Sequence, residues 1–157
     1  MKSKENIFAA LRNADVEPAP MPDLAGLEAS ALTFPDREKA FAEAVAKAGG
    51  VISNEIPNDG QDSFTVCGNF GVAENGCVWI ADGSFEDRRD LFIHERLVIM
   101  LSRNEIVDNM HQAYARLGEN ASGYGIFISG PSKTADIEQA LVLGAHGPRS
   151  LVVVFED

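Results

Sequence analysis

Hydrophobic positions along the chain fall into two alternating registers, one helical and one extended. Over Ser3 to Asn13, Ile7, Phe8 and Leu11 recur near one face of a helix. That stripe can pack on the rest of the chain or grip another subunit. The stretch from Asp15 to Thr33 loses the period and carries Pro18, Pro20 and Pro22 among acidic residues, so it reads as a linker or loosely packed arm. Asp36 to Ala48 restores it: Phe41, Ala44, Val45 and Ala48 share a face, and Gly49-Gly50 offers a stop. A third helix is expected over Glu105 to Leu117, with Ile106, Met110, Ala113, Tyr114 and Leu117 on one side.

Between these helices lie short apolar runs of strand length. Val51 to Ile56, Phe64 to Cys67, Cys77 to Ala81, Leu97 to Leu101, Gly125 to Ile128 and Leu151 to Phe155 are the candidates. Several are continuous rather than alternating, which is the mark of a sheet covered on both faces. The pattern predicts an α/β sandwich, with room for an antiparallel hairpin in the middle of the chain. The expected organisation is a helix and Pro-rich linker over residues 1–33, then one α/β domain over residues 34–157.

At 157 residues the chain can build one substantial core but not two ordinary domains. Its 24 acidic and 13 basic residues give a formal charge of -11, and only Arg88 and Arg89 adjoin among the basic ones. A phosphate backbone would be repelled, so no nucleic-acid partner is expected. No apolar run reaches the roughly 20 residues of a membrane-spanning helix, and the N-terminus lacks a secretory pattern, so a cytoplasmic protein is expected. Cys67 and Cys77 make neither a disulfide framework nor the ligand set of an iron-sulfur cluster.

Candidate chemistry gathers in turns. In SGPSKTADIE, Gly130-Pro131 marks a sharp change of direction. Ser132 or Thr134 can cap a helical turn beginning there, or the backbone of Gly130 to Thr134 can cradle an anion beside Lys133. Asp136 can favour the same helix start or orient a ligand group. Neither a P-loop nor a GxGxxG fingerprint is present. In GAHGPR, His146 sits between two glycines and can exchange a proton or bond the backbone, while Gly147 permits close approach and Arg149 can hold a carboxylate or phosphate.

GVAENGC places Glu74 before an Asn75-Gly76 turn. Glu74 can be a base or nucleophile, or the segment can simply join two strands. Cys77 reads as a small buried hydrophobe. His94 precedes Glu95, a neighbour pair whose side chains diverge on a strand but not in a loop. His111 reads as a helix-surface residue. The spacing of His94, His146 and Cys77 does not establish convergence on a metal, and none is expected.

Ser129 to Glu138, followed by Gly144, His146, Gly147, Pro148 and Arg149, resembles the paired SGPSRTADIE and GxHGPR motifs of the LUD-domain family, which includes the lactate-utilization C proteins. The resemblance extends over residues 34–157. GVAENGCVWI is similar to the family's IAETGT-containing segment, with Asn75 and Cys77 where threonines are common, and the His94 neighbourhood is similar to its histidine-bearing segment. This resemblance implies a Rossmann-like three-layer sandwich of the NagB, RpiA and CoA-transferase group. It further implies a non-redox or accessory subunit of L-lactate oxidation to pyruvate, working with iron-sulfur partner proteins. AENG is also similar to the SENG segment of class I CoA-transferases, with Glu74 at the nucleophilic glutamate. A transferase of small anions or acyl-CoA, and a metabolite-binding module without turnover, are therefore the alternatives. A homodimer is a further expectation, and the identity of any cofactor stays open.

Overall fold

The computed structural model describes residues 2–14, 19–20, 22–23, 26, 30–118, 123–137, 140–143 and 146–157, with residues 2, 134–137 and 140–143 described by backbone alone. Two units are distinct, Met1–Ser30 and Ala31–Asp157. The first holds helix α1 (Lys2–Arg12), with Glu5 in its first turn and Arg12 in its last, both complementing the helix dipole. Its apolar residues Ile7, Phe8 and Leu11 are all exposed.

In the second unit, α2 (Arg37–Ala48) starts where the Asp36 carboxylate accepts the Lys39 N–H. It stops at Gly49, whose φ of 92° is a left-handed cap. Four strands then form an all-parallel sheet in the order β1 (Val51–Ser53), β10 (Ser150–Glu156), β5 (Arg96–Ser102), β2 (Ser63–Cys67). A second sheet, in the order β6 (Ile106–Val107), β3 (Phe70–Val72), β4 (Cys77–Ala81), β7 (Gly125–Ile128), is mixed. Its β3–β4 pair is the antiparallel hairpin expected in mid-chain. A hairpin of β8 (Lys133–Ile137) and β9 (Ala140–Leu143) stands apart from both sheets.

Strand alternation sorts the side chains into layers. Leu97, Ile99 and Leu101 of β5, with Leu151, Val153 and Phe155 of β10, face Val78 and Ile80 of the other sheet; Phe41 and Val45 of α2 complete this core. The intervening Val98, Val152 and Val154 form a smaller cluster on the far face of the parallel sheet. On the far face of the mixed sheet, Phe70, Val72, Cys77 and Trp79 pack with Met110, Ala113 and Leu117 of α4 (Met110–Leu117). The α/β expectation therefore holds. No described helix is long and apolar enough to cross a membrane.

Three local expectations change. The helix expected from Glu105 begins instead at Met110, because Ile106 joins a parallel ladder opposite Gly71 and Asn109 caps the helix at the Gln112 N–H. No helix follows Gly130-Pro131: the capping pattern of Ser132 and Thr134 leads into β8, which takes its hydrogen bonds from β9. The short helix α3 (Asp90–Ile93), absent from the pattern, interrupts the approach to β5.

Candidate functional site

The two C-terminal turns meet through the backbone. Ser132 N–H donates to the Pro148 carbonyl at 2.8 Å, tying the turn after β7 to the turn before β10. Gly130 takes φ +68°, and a Cβ there would stand 2.3 Å from the Ala48 carbonyl oxygen, so that bend needs glycine both for conformation and for space. The Lys133 ammonium donates to the same carbonyl, and Ser129 Oγ donates to the Asn75 carbonyl at 3.0 Å. A Cβ on Gly147 would lie 3.1 Å from Ser132 Cβ, tight enough that the second turn also runs close against the first.

Between the turns opens a recess of about 300 Å³. Its floor is apolar, made by Leu91, Leu97, Ile126, Ile128 and Leu151, while Ser132, Lys133, His146 and Gly147 supply the wall. Leu97 and Leu151 also belong to the core between the sheets.

A second recess, about 260 Å³, adjoins it: Phe92, His146 and Gly147 line both, and His94, Glu95 and Arg149 line the second. His94 is held firmly. Its Nδ1 lies 2.8 Å from Asp62 Oδ1, and its ring stacks on Phe64 at 5.6 Å with 13° between planes. The hydrogen bond from His94 holds the Asp62 carboxyl below the usual range. Nε2 stands 4.0 Å from Asp90 Oδ1, at the limit of an ion pair and beyond hydrogen-bond reach. Arg149 N–H donates to the Glu95 carbonyl at 2.8 Å, fixing that turn to the start of β5 while the side chain stays exposed.

Of the residues singled out in the sequence, Gly130, Ser132, Lys133, His146 and Gly147 share the first recess, and His94, His146, Gly147 and Arg149 share the second. Glu74 lies elsewhere. It lines a separate recess of about 270 Å³ with Ala44, Lys47, Ala48 and Asn75, and its Oε2 accepts the Met110 N–H at 2.9 Å, supporting the start of α4. Asn75 Oδ1 accepts the Cys77 N–H at 3.1 Å, and burial pushes the Cys77 thiol up to about 12. Thr134 and Asp136 fall on β8, where their side chains lie outside the described residues, as do Glu138 and Gly144. His111 is exposed on α4.

Sequence reasoning missed Asp62, Phe64 and Phe92. Asp62 sits in a turn-rich segment whose only signal was polarity. Among the described residues, no three His, Cys, Asp or Glu side chains group in a way that could hold a metal ion. What the paired recesses present to a ligand is a guanidinium, two imidazoles, the Glu95 carboxylate and an ammonium that already donates to Ala48, beside an apolar floor.

Residues 60–155 match the family model of the LUD domain. Lactate utilization protein C of Bacillus pumilus (strain SAFR-032) is 33% identical over 99 residues, covering 59% of this chain and 41% of that protein. Lactate utilization protein C of Geobacillus sp. (strain WCH70) is 37% identical over 93 residues, covering 55% of this chain and 39% of that protein. The chain thus spans about two fifths of the length of these curated relatives. A crystal structure of a DUF162-family protein from Deinococcus radiodurans superposes with a TM-score of 0.58 at 12% identity, over 79% of this chain and 98% of that one. At that identity the likeness concerns the fold alone.

Proposed function

Since this chain belongs to the LUD-domain family, we propose that it serves L-lactate utilization as a non-redox or accessory subunit, with the recess between its two turns holding a small anion. Its partners in this reading are iron-sulfur proteins that carry the electrons from lactate to an acceptor. The chain brings only two cysteines, one buried as a neutral thiol, so the electron-carrying centres are assigned to the partners. In the same reading it acts in the cytoplasm, and its two-sheet core is a variant of the NagB, RpiA and CoA-transferase sandwich.

The observation that carries the site is the Ser132–Pro148 backbone bond. It joins two segments whose sequences resemble one family's motifs and sets His146 and Lys133 on the same recess. Lactate oxidation and co-purification with iron-sulfur proteins, measured with and without this chain, test the pathway. Loss of activity and a retained complex are expected; unchanged oxidation with no association rejects the role. An anion bound with no effect on oxidation would favour a metabolite-binding module.

A second reading rests on Glu74, which lines its own recess beside Lys47. As a transferase nucleophile it would form an acyl-glutamate adduct with acyl-CoA, releasing the thiolate of CoA. The Met110 N–H already occupies one of its oxygens. Unchanged turnover by Glu74→Gln removes it from that role.

A further inference from the structure

We propose that the two adjoining recesses form one bipartite groove for a monocarboxylate carrying an apolar chain, larger than the three-carbon hydroxy acid itself. The inference rests on reading the recess as a ligand site, but not on the lactate pathway. Three observations carry it.

The first is size and continuity. The recesses measure about 300 Å³ and 260 Å³ and share Phe92, His146 and Gly147. Ligand pockets of about 300 Å³ upward hold molecules of drug size rather than a three-carbon acid. The second is division of chemistry. In one chamber the half-buried Ile126 and Ile128 offer the apolar surface on which a chain leaves water, and the buried Leu91, Leu97 and Leu151 back it. Arg149 lines the other, with His146 at the junction, and the exposed guanidinium suits a carboxylate.

The third is the fixed imidazole. Asp62 and the Phe64 ring hold His94, with Nδ1 engaged and Nε2 facing the Asp90 carboxylate at 4.0 Å, beyond hydrogen-bond reach. A neutral His94 with its proton on Nδ1 accepts at Nε2, which suits a hydroxyl or acid proton on the ligand's head. Glu95 also lines this chamber and repels an anion, but its carboxylate lies within 3.4 Å of the Gln61 amide and its carbonyl receives Arg149 N–H and Ser150 N–H. The anionic head is therefore assigned to the Arg149 and His146 side.

A homologous series tests this on the full chain: L-lactate, butanoate, hexanoate and octanoate titrated by calorimetry, with hexanamide as the neutral analogue. Each added methylene that enters the apolar chamber should tighten Kd about fourfold, at roughly 0.8 kcal/mol per buried CH₂. Arg149→Gln should weaken every acid by about tenfold and leave hexanamide unchanged. Phe92→Ala should flatten the dependence on chain length, and its thermal melt distinguishes this from unfolding. A flat series, or hexanamide binding as tightly as hexanoate, overturns the proposal, as does a chain-length slope untouched by Phe92→Ala in a folded protein. Chain-dependent lactate oxidation with a flat series sinks the groove and keeps the pathway; a steep series with unaffected oxidation does the reverse.

Discussion

Replacing Gly130 by alanine should damage the turn for two separable reasons, and a second glycine separates them. Gly60 has φ +78° with nothing within 4 Å of a built Cβ, whereas Gly130 has φ +68° with the Ala48 oxygen only 2.3 Å away. Left-handed backbone costs an L-residue about 1–2 kcal/mol, and both variants bear it. Both also gain the same unfolded-state term, about 0.4–1 kcal/mol, from a less flexible denatured chain. Only Gly130→Ala must move a carbonyl: ordinary contact begins near 3.4 Å, so the turn and α2 must separate by about 1.1 Å. Such overpacking costs about 1–3 kcal/mol. The shift also pulls Ala48 from the Lys133 ammonium. Gly130→Ala should therefore be about 2 kcal/mol less stable than Gly60→Ala, or about 6 °C lower in Tm at this chain length. Urea unfolding with a common m value gives the difference directly. Equal midpoints would refute the close approach of the SGPS turn to the end of α2, and with it the geometry of the recess wall.

Asp108 is buried and accepts from Arg37, Phe34 N–H and Gln112, so Asp108→Ala should cost about 3 kcal/mol in chemical denaturation, a figure already reduced because Arg37 is half exposed. Hydrogen bonding by Arg37 holds its carboxyl below the usual range, so its stabilisation is present above about pH 4 and fades as pH falls through the lowered value; Asp108→Asn should flatten that acid limb. Exposed Cys67 should take one equivalent of iodoacetamide at pH 8 in the native protein while Cys77 stays unmodified, with a second adduct appearing only in urea; two native adducts would contradict the burial that raises Cys77 to about 12. The raised thiol favours folding below the thiol's unfolded value and loses that effect as pH climbs towards 12, so Cys77→Ala should lessen the alkaline loss of stability. Asp62→Asn should weaken the Nδ1–H tautomer of neutral His94, read from its ring ¹⁵N shifts, and an unchanged tautomer would remove Asp62 as its positioning partner.

What the sequence made legible was local. Asp36 and Gly49 bracket α2 because a capping carboxylate and a left-handed glycine act within one turn of the helix. The apolar run from Leu97 to Leu101 announced a strand buried on both faces, and β5 sits between two parallel neighbours. Elsewhere local signals pointed two ways. Ser132 and Thr134 have the chemistry of a helix cap, yet β9 supplies a ladder that outweighs it. Ile106 fits a helical stripe by spacing while pairing as a strand with Gly71. The His94–Asp62 pair could not be read at all, because its cause is register. Ser63 lies opposite Arg96 in the parallel β2–β5 ladder, which brings the residues preceding each strand together across 32 positions of chain. The same logic removes Glu74 from the recess: its turn packs against α2, where a Cβ on Gly76 would stand 2.6 Å from Val45 N.

Open parallel sheets usually collect ligands at the carboxyl ends of their strands. Here that end carries Asn54, Arg103 and Phe155, with the Arg103 guanidinium ion-paired to Glu38 and stacked 4.7 Å from the Phe155 ring. That guanidinium is already satisfied within the fold, and Lys39 shares the recess there with the Asp36 and Glu38 carboxylates. The recess proposed as the site instead lies where the carboxyl end of β7 meets the amino ends of β5 and β10, and it exists only because the two sheets pack face to face. Leu97 and Leu151 serve at once as core and as floor, so the floor of the site takes its shape from the inter-sheet packing while the turns hold its wall. A ligand that fills it touches side chains of the inter-sheet core, so its binding is coupled to the packing between the sheets.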